Sequence, residues 1–416
     1  MHRATASDRG SNPYAVTRLI TSLVLMTIGN SGMYAATVAL PLIQAEFGIA
    51  RSDASLPYTL TMIGFGLGGI LMGRLADRFG VMVPVMGGAC FASGGFLLAG
   101  FAPNLWVFAL AHGVVIGFLG CSATLAPLIA DISLWFTRRR GIAVAIVISG
   151  NYFAGAIWPL VFQHYFSTIG WRATYQAVGV FCLISMIPLA LVLRRRPPVE
   201  RSGENASRPR FASARPLGFS PAVLQCILVV AGVACCVAMS MPTVHIVAYC
   251  GDLGFAAARG AEMLSLMLGC GIVSRLASGW ISDHIGALRT LLLGSTLQGI
   301  ALLLFLPFDG LASLYLVSAL FGFFQGGIVP MYAIIVREYF APSEAGARVG
   351  VVMMATLLGM ALGGWMSGAM FDLTGSYKAA FLNGTAWNLL NVAIAAWLLF
   401  RHTRIQSSVP AILKPA

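Results

Sequence analysis

The sequence predicts an all-α polytopic membrane protein, with twelve transmembrane helices in two pseudo-symmetric six-helix bundles. Three observations carry that expectation. The 416-residue chain is 58% hydrophobic and only 10% charged, whereas a soluble domain has about 25% charged residues. Uncharged runs such as Val81 to Ala130 far exceed the roughly 20 residues that cross a bilayer. A short pattern also recurs at half-length. Gly73, Asp77 and Gly80 return as Gly279, Asp283 and Gly286, all at one offset of 206 residues. A transmembrane barrel would show short alternating strands instead.

The spans follow in order. The first six are expected near Thr17–Ile43, Leu56–Leu75, Val81–Phe101, Leu105–Ser133, Gly141–Thr168 and Trp171–Leu193. The second six are expected near Pro221–Val247, Gly260–Ser282, Leu288–Leu306, Leu311–Tyr339, Gly346–Phe371 and Ala379–Phe400. This divides the chain into an N-terminal bundle over 1–193, a linker over 194–220 and a C-terminal bundle over 221–416. The linker opens on three arginines and Pro197-Pro198, then runs through Gly, Ser, Asn and Pro. Such a composition reads as flexible.

The net charge of +12 would suggest a nucleic-acid partner if the charges formed one patch. They do not. Arginines gather in alternate loops: Arg3, Arg9 and Arg18 at the start, Arg74 and Arg78, Arg138 to Arg140, and seven more in the linker. The opposite loops hold Arg51, Arg172, Arg259 and Lys378. By the positive-inside rule, both termini are expected to be cytoplasmic. Met1 to Ser22 has no cleavable-signal pattern, so the first span is expected to stay as an anchor.

The eight cysteines, at 90, 121, 182, 226, 235, 236, 250 and 270, fall in or beside apolar spans. They read as small buried hydrophobes, and no cofactor or metal site is expected. The 47 glycines are expected to bring helices into close contact, since small residues drive helix packing in lipid. An enzyme would need paired carboxylates, a Ser/His pair or clustered ligands at membrane depth, and the sequence offers none. A non-transporting sensor would need a sizeable extra soluble domain, for which linker and tails are too short.

Two six-span halves with Gly-x-x-x-Asp-x-x-Gly at the second-to-third and eighth-to-ninth connections resemble the major facilitator superfamily. Gly73, Asp77, Arg78 and Gly80 match its loop motif, with Val81 and Met82 where further basic residues are usual. The resemblance implies a conformational latch of Gly73, Asp77, Arg78, Gly80 and Asp283 with Arg138, Arg139 and Arg140, holding the cytoplasmic side shut in the outward-facing state. A surface charge that only marks orientation is the simpler alternative.

A narrower resemblance starts at Trp135-Phe136-Thr137-Arg138-Arg139-Arg140-Gly141, which is similar to the fifth-span signature of the monocarboxylate transporter family. His245 to Gly254 resembles the end of the seventh span in bacterial members, and Ser274-Arg275-Leu276-Ala277-Ser278-Gly279 their eighth-span arginine segment. The acidic-Gly-Gly-aromatic opening of the first span is absent, that span has no lysine, and Gly271 stands where some relatives carry a polar or acidic residue. The resemblance implies a bacterial inner (plasma) membrane protein.

Arg275 reads as the only Lys or Arg well inside a span, ~10 Å from its cytoplasmic end at 1.5 Å per residue. A guanidinium there costs roughly 2.5–3.5 kcal/mol or more, which a substrate carboxylate held bidentately would offset. The alternatives are snorkelling to the surface and a permanent partner within the bundle. Asp252 ends the seventh span. The resemblance implies that it takes part in proton coupling; a solvated loop carboxylate is the alternative. His245, two turns earlier, shares its face or is packing. Asn30 and Tyr34, Asn151 and Tyr152, and Gln325 and Tyr332 are mid-span polar residues, expected either to contact substrate or to bond helix to helix.

The expectation is therefore a secondary transporter for a small organic anion, a monocarboxylate, moved with protons by alternating access around a midplane site. Proton-driven efflux of neutral or cationic drug-like compounds is the alternative. The expected partners are the substrate, protons and the lipid bilayer, with no nucleic acid, and a monomer suffices.

Overall fold

A computed structural model describes residues 13–136, 140–195 and 216–408. Within them the chain is helical almost throughout and has no strand. Eleven helical segments are long and apolar enough to cross a membrane: α1 (Pro13–Phe47), α2 (Arg51–Phe79), α3 (Met82–Gly100), α4 (Leu105–Trp135), α5 (Gly141–Ile169), α6 (Trp171–Val192), α7 (Pro221–Asp252), α8 (Ala257–Ile285), α9 (Ala287–Leu304), α10 (Leu311–Tyr339) and α11 (Glu344–Thr374). A twelfth long helix, α12 (Tyr377–Ser408), has its hydropathy lowered by Asn383, Asn388 and Asn391. Asn391 is fully buried, donating to Ser295 Oγ at 2.8 Å and lying 2.6 Å from the Tyr332 hydroxyl. Lipid offers the backbone no hydrogen bonds, so each span satisfies its own.

Two connections reuse one backbone solution. Gly80 closes α2 at φ 84°, ψ 161°, and Gly286 stands between α8 and α9 at φ 87°, ψ 157°. This region of backbone space is essentially open to glycine alone. The last residue of the repeated motif is thus demanded by the turn it makes. A Cβ at Gly73 or Gly279 would instead meet nothing within 4 Å.

Close helix contact through glycine shapes α4. A Cβ at Gly64 would collide with the Gly113 carbonyl, one at Gly68 with the Phe118 carbonyl, and one at Gly120 would press on the Ala92 backbone. Squeezed between α2 and α3, α4 leaves regular geometry through a π-helical stretch, Ala111–Gly120, and a 3-10 turn, Cys121–Thr124. Breaks of this kind concentrate at functional sites. Buried His112 anchors the stretch, with Nε2 3.0 Å from the Tyr175 hydroxyl and Nδ1 3.4 Å from the Thr61 hydroxyl.

Packing divides the described chain into two compact units. The first comprises the described residues before position 204 together with Thr243–Gly269; the second comprises those from there to Pro242 and the chain from Cys270. The dividing points fall at Pro242 in α7 and at the Gly269-Cys270-Gly271 run in α8, where proline and glycine weaken a helix. Most of the linker, 196–215, lies outside the described residues.

Two expectations need correction. Cys121, Cys182, Cys235, Cys236 and Cys250 are buried, but Cys90 and Cys226 are exposed and Cys270 is half-buried; an apolar span hides a residue from water without hiding it from lipid. Nor is Arg275 the only arginine inside a span. Because α1 starts at Pro13 rather than Thr17, Arg18 lies more than a turn within it and is fully buried. Its Nε and Nη2 donate to the two carboxylate oxygens of Asp131 on α4 at 2.6 and 2.7 Å. The guanidinium also sits 4.9 Å from the Trp135 ring centroid.

Removing one partner of a buried pair strands the other charge, at about 3–5 kcal/mol. Arg18→Met or Asp131→Leu alone is therefore expected to lower the thermal unfolding temperature sharply in detergent. The double variant should recover much of that loss; a double variant as unstable as the worse single one would contradict the pairing.

Candidate functional site

In the first unit the polar residues of α1 gather at a break. The helix is interrupted at Asn30, with φ −89° and ψ 7°, between segments ending at Gly29 and starting at Ser31. Gly29 permits this: a Cβ there would strike the Thr124 side chain on α4. Asn30 is fully buried, and neither its carbonyl oxygen nor its amide nitrogen has a partner among the described residues. A buried amide in that condition costs about 1–3 kcal/mol, so it marks a place where hydrogen-bonding capacity is held in reserve.

One turn on, the Tyr34 hydroxyl donates to Asn151 on α5, lying 3.0 Å from its backbone oxygen and 3.3 Å from Oδ1. Gly155 leaves room for the Tyr34 ring. Trp158 Nε1 donates to the Thr27 carbonyl at 2.8 Å. Tyr34 and Asn151 thus belong to one α1–α5 seam, and Tyr152, next to Asn151 on α5, is buried.

At the far end of this unit, Arg51 opens α2 and meets Asp252 at the end of α7. Two parallel bonds join them: Nη1 to Oδ2 at 3.0 Å and Nη2 to Oδ1 at 3.1 Å. Their side chains are 9% and 33% exposed. Arg51 counts toward a loop in the sequence, yet it is the arginine that holds Asp252. His245 is fully buried in the same stretch of α7.

In the second unit Arg275 lies on α8, ten residues before Ile285, hence ~15 Å from that end of the helix. It is half-buried, and its Nε points to the Gly326 carbonyl at 3.4 Å. The sequence around that carbonyl explains its position. α10 is broken between segments ending at Gln325 and starting at Ile328, across Gly326-Gly327. A Cβ at Gly326 would collide with the Gly271 backbone, and one at Gly327 with the Ser278 side chain. Gly326 and Gly327 therefore provide the room that lets α8 and α10 touch beside Arg275. Gln325 is 1% exposed, and its Oε1 has no partner among the described residues.

Tyr332 shares α10 with Gln325, but the break separates them, so ideal helical spacing does not run through. Its hydroxyl is 2.6 Å from Asn391 Oδ1 and 3.1 Å from the Ala231 carbonyl, within the packed interior that includes Cys235, Met331 and Ile335.

The loop-motif residues behave differently. Asp77, Arg78 and Asp283 are exposed, and the Arg78 guanidinium lies 5.2 Å from the Phe79 ring centroid. Arg138 and Arg139 lie outside the described residues, as does the side chain of Arg140.

An all-helical chain with this many spans, its apolar helices broken beside buried polar groups, is a multi-span membrane protein. The chain belongs to the major facilitator superfamily, which matches residues 20–311 and again 261–413. It is 29% identical to monocarboxylate transporter 13 of Rattus norvegicus over 339 residues, covering 81% of this chain and 76% of that one. It is 27% identical to YcxA, an uncharacterized MFS-type transporter of Bacillus subtilis, over 81% of this chain and 83% of that one. In structure it resembles a bacterial homolog of the human lysosomal transporter Spinster, in an inward-facing and occupied conformation. The TM-score is 0.73 at 17% identity, covering 98% of this chain and all of the other.

Sequence reading passed over Arg18–Asp131, His112 and the partner of Asp252. The signal for the first was a carboxylate, Asp131, standing alone in a long apolar run. The Arg51–Asp252 pair is expected to show a coupling energy of about 1 kcal/mol, near the upper value for partly exposed pairs. A double-mutant cycle of Arg51→Ala and Asp252→Ala on detergent unfolding measures it, and additive effects would show that the pair contributes nothing.

Proposed function

We propose that this transporter is a secondary carrier for a small organic anion, a monocarboxylate, moved together with a proton by alternating access. The observation that carries the reading is Arg275: a guanidinium deep in a span, beside a broken helix. Carboxylate recognition by a planar two-pronged donor is the natural use of such a group. Breaks that expose backbone and side-chain amides inside the membrane are how carriers build polar sites. In this reading Arg275 takes the carboxylate in the second unit, with Gln325 as a hydrogen-bonding group and Tyr332 as support; within the first unit, Asn30, Tyr34, Asn151 and Tyr152 are proposed as substrate-contacting residues. The name of the rat relative agrees with that substrate class.

Asp252 is proposed as the proton-responsive group, with His245 behind it. While ionised it holds Arg51 by two charge-assisted bonds. Neutralising that carboxylate would weaken the pair and free the end of α7. Proton uptake and conformational release are then one event. Asp77, Arg78, Asp283 and the arginines at 138–140 are proposed as the latch on the other side, with Gly80 setting its turn. The arginine bias puts both termini in the cytoplasm, and a bacterial inner membrane fits the resemblance to bacterial members. Expulsion of a cationic drug is the weaker reading, because the embedded carboxylate Asp131 is already committed to Arg18.

Proteoliposomes should accumulate labelled monocarboxylate faster when the outside is acidic. Arg275→Ala should abolish that uptake, and Arg275→Lys should raise the half-saturating concentration about tenfold or more, since lysine keeps the charge but loses the fork. Asp252→Asn should leave uptake measurable but nearly independent of external pH. Wild-type rates in Arg275→Ala would refute the assignment, and an unchanged pH profile in Asp252→Asn would remove the coupling role.

A further inference from the structure

The first unit carries a second site, unrelated to the transported substrate, where α1 begins and α6 ends. A helix leaves its last carbonyls without internal partners, and here the side chains of α1 take them. The Tyr14 hydroxyl donates to the Val192 carbonyl at 2.6 Å, and Arg18 Nη2 and Nη1 donate to those of Leu193 and Arg195, each at 3.1 Å. Because Arg18 is itself fixed by Asp131, the backbone from 192 to 195 is tied to the interior of the bundle.

What this tie presents outward is an open groove of about 310 Å³ lined by Tyr14, Pro188, Leu191, Val192, Arg194 and Arg195. Both arginines are exposed. The Arg195 guanidinium rests 4.8 Å from the Tyr14 ring centroid, which holds it at the rim. Among the described residues neither Arg194 nor Arg195 forms an ion pair. Below them, Ile184, Pro188 and Leu191 are exposed at helical spacing along α6, forming an apolar stripe that faces lipid. Two exposed positive charges, one of them resting on Tyr14, thus sit at the end of an exposed apolar track.

We propose that this groove binds an anionic phospholipid. The phosphodiester would accept hydrogen bonds from Arg194 and Arg195, and an acyl chain would follow Leu191, Pro188 and Ile184. Charge and shape both select the occupant: a zwitterionic lipid cancels the attraction within its own headgroup, and free phosphate has nothing to lay on the stripe. Basic pockets between spans are a recurring form of headgroup recognition. Occupancy would brace the α1–α6 end of the unit, because the ligand would hold Arg194 and Arg195 while Tyr14 and Arg18 hold the carbonyls of Val192, Leu193 and Arg195.

The test uses the full-length protein in detergent, with thermal unfolding followed during titration with phosphatidylglycerol, phosphatidylcholine or inorganic phosphate. Phosphatidylglycerol is expected to raise the unfolding temperature saturably, with little effect from the other two. At roughly fivefold per arginine, Arg194→Gln or Arg195→Gln should shift the midpoint about fivefold and the double variant about thirtyfold. Both side chains are exposed, so the variants should fold; wild-type unfolding temperature without lipid checks this. Native mass spectrometry should show phosphatidylglycerol retained by the wild type and lost from the double variant. Equal protection by phosphatidylcholine, equal protection by free phosphate, or an unshifted midpoint in the double variant would each overturn the proposal.

Discussion

A charge inside hydrocarbon must be matched, and this fold is arranged around how each embedded arginine is answered. Arg18 is matched permanently. It is fully buried, bonded through Nε and Nη2 to Asp131, and its other donors reach the Tyr14 hydroxyl and the carbonyls of Leu193 and Arg195 just past α6. Arg51, at the start of α2, is matched by Asp252, whose carboxylate is a third exposed. Arg275 is half-buried, its Nε 3.4 Å from the Gly326 carbonyl. Arg18 and Arg51 are thus answered by carboxylates of the chain, and Arg275 is proposed to receive its carboxylate from the substrate.

Helix breaks supply the other half of the chemistry. A continuous apolar span presents only side chains, because its backbone bonds close on themselves. The interruptions at Asn30 and at Gly326-Gly327 put amide and carbonyl groups at membrane depth, and each coincides with a buried side-chain amide whose capacity is unmet. Glycine causes both. It lets Gly29 meet Thr124 and Gly326 meet Gly271, so the helices approach more closely than any larger residue would permit.

Much of this could be read from the sequence, and the reason is physical. Long uncharged runs leave no alternative to spanning helices, and the motif glycines Gly80 and Gly286 occupy a backbone region that other residues avoid. Arg275 stood out because no other basic residue lies so far from a loop. What escaped were pairings between distant positions. Nothing local ties Asp131 to Arg18, 113 residues away, or Asp252 to Arg51, 201 residues away. Helix breaks were also hidden, since glycine-rich runs look alike whether they pack smoothly or interrupt a span. His112 escaped for a simpler reason: its partners, Tyr175 and Thr61, lie on other helices.

The central claim is that the Arg275 guanidinium receives a carboxylate. Calorimetric titration of the purified protein with a small monocarboxylate, and with the amide of the same acid, separates charge recognition from shape. The account predicts binding of the acid, little or none of the amide, and loss of that preference in Arg275→Gln. Equal binding of acid and amide by the wild type, or an intact preference for the acid in Arg275→Gln, would contradict it.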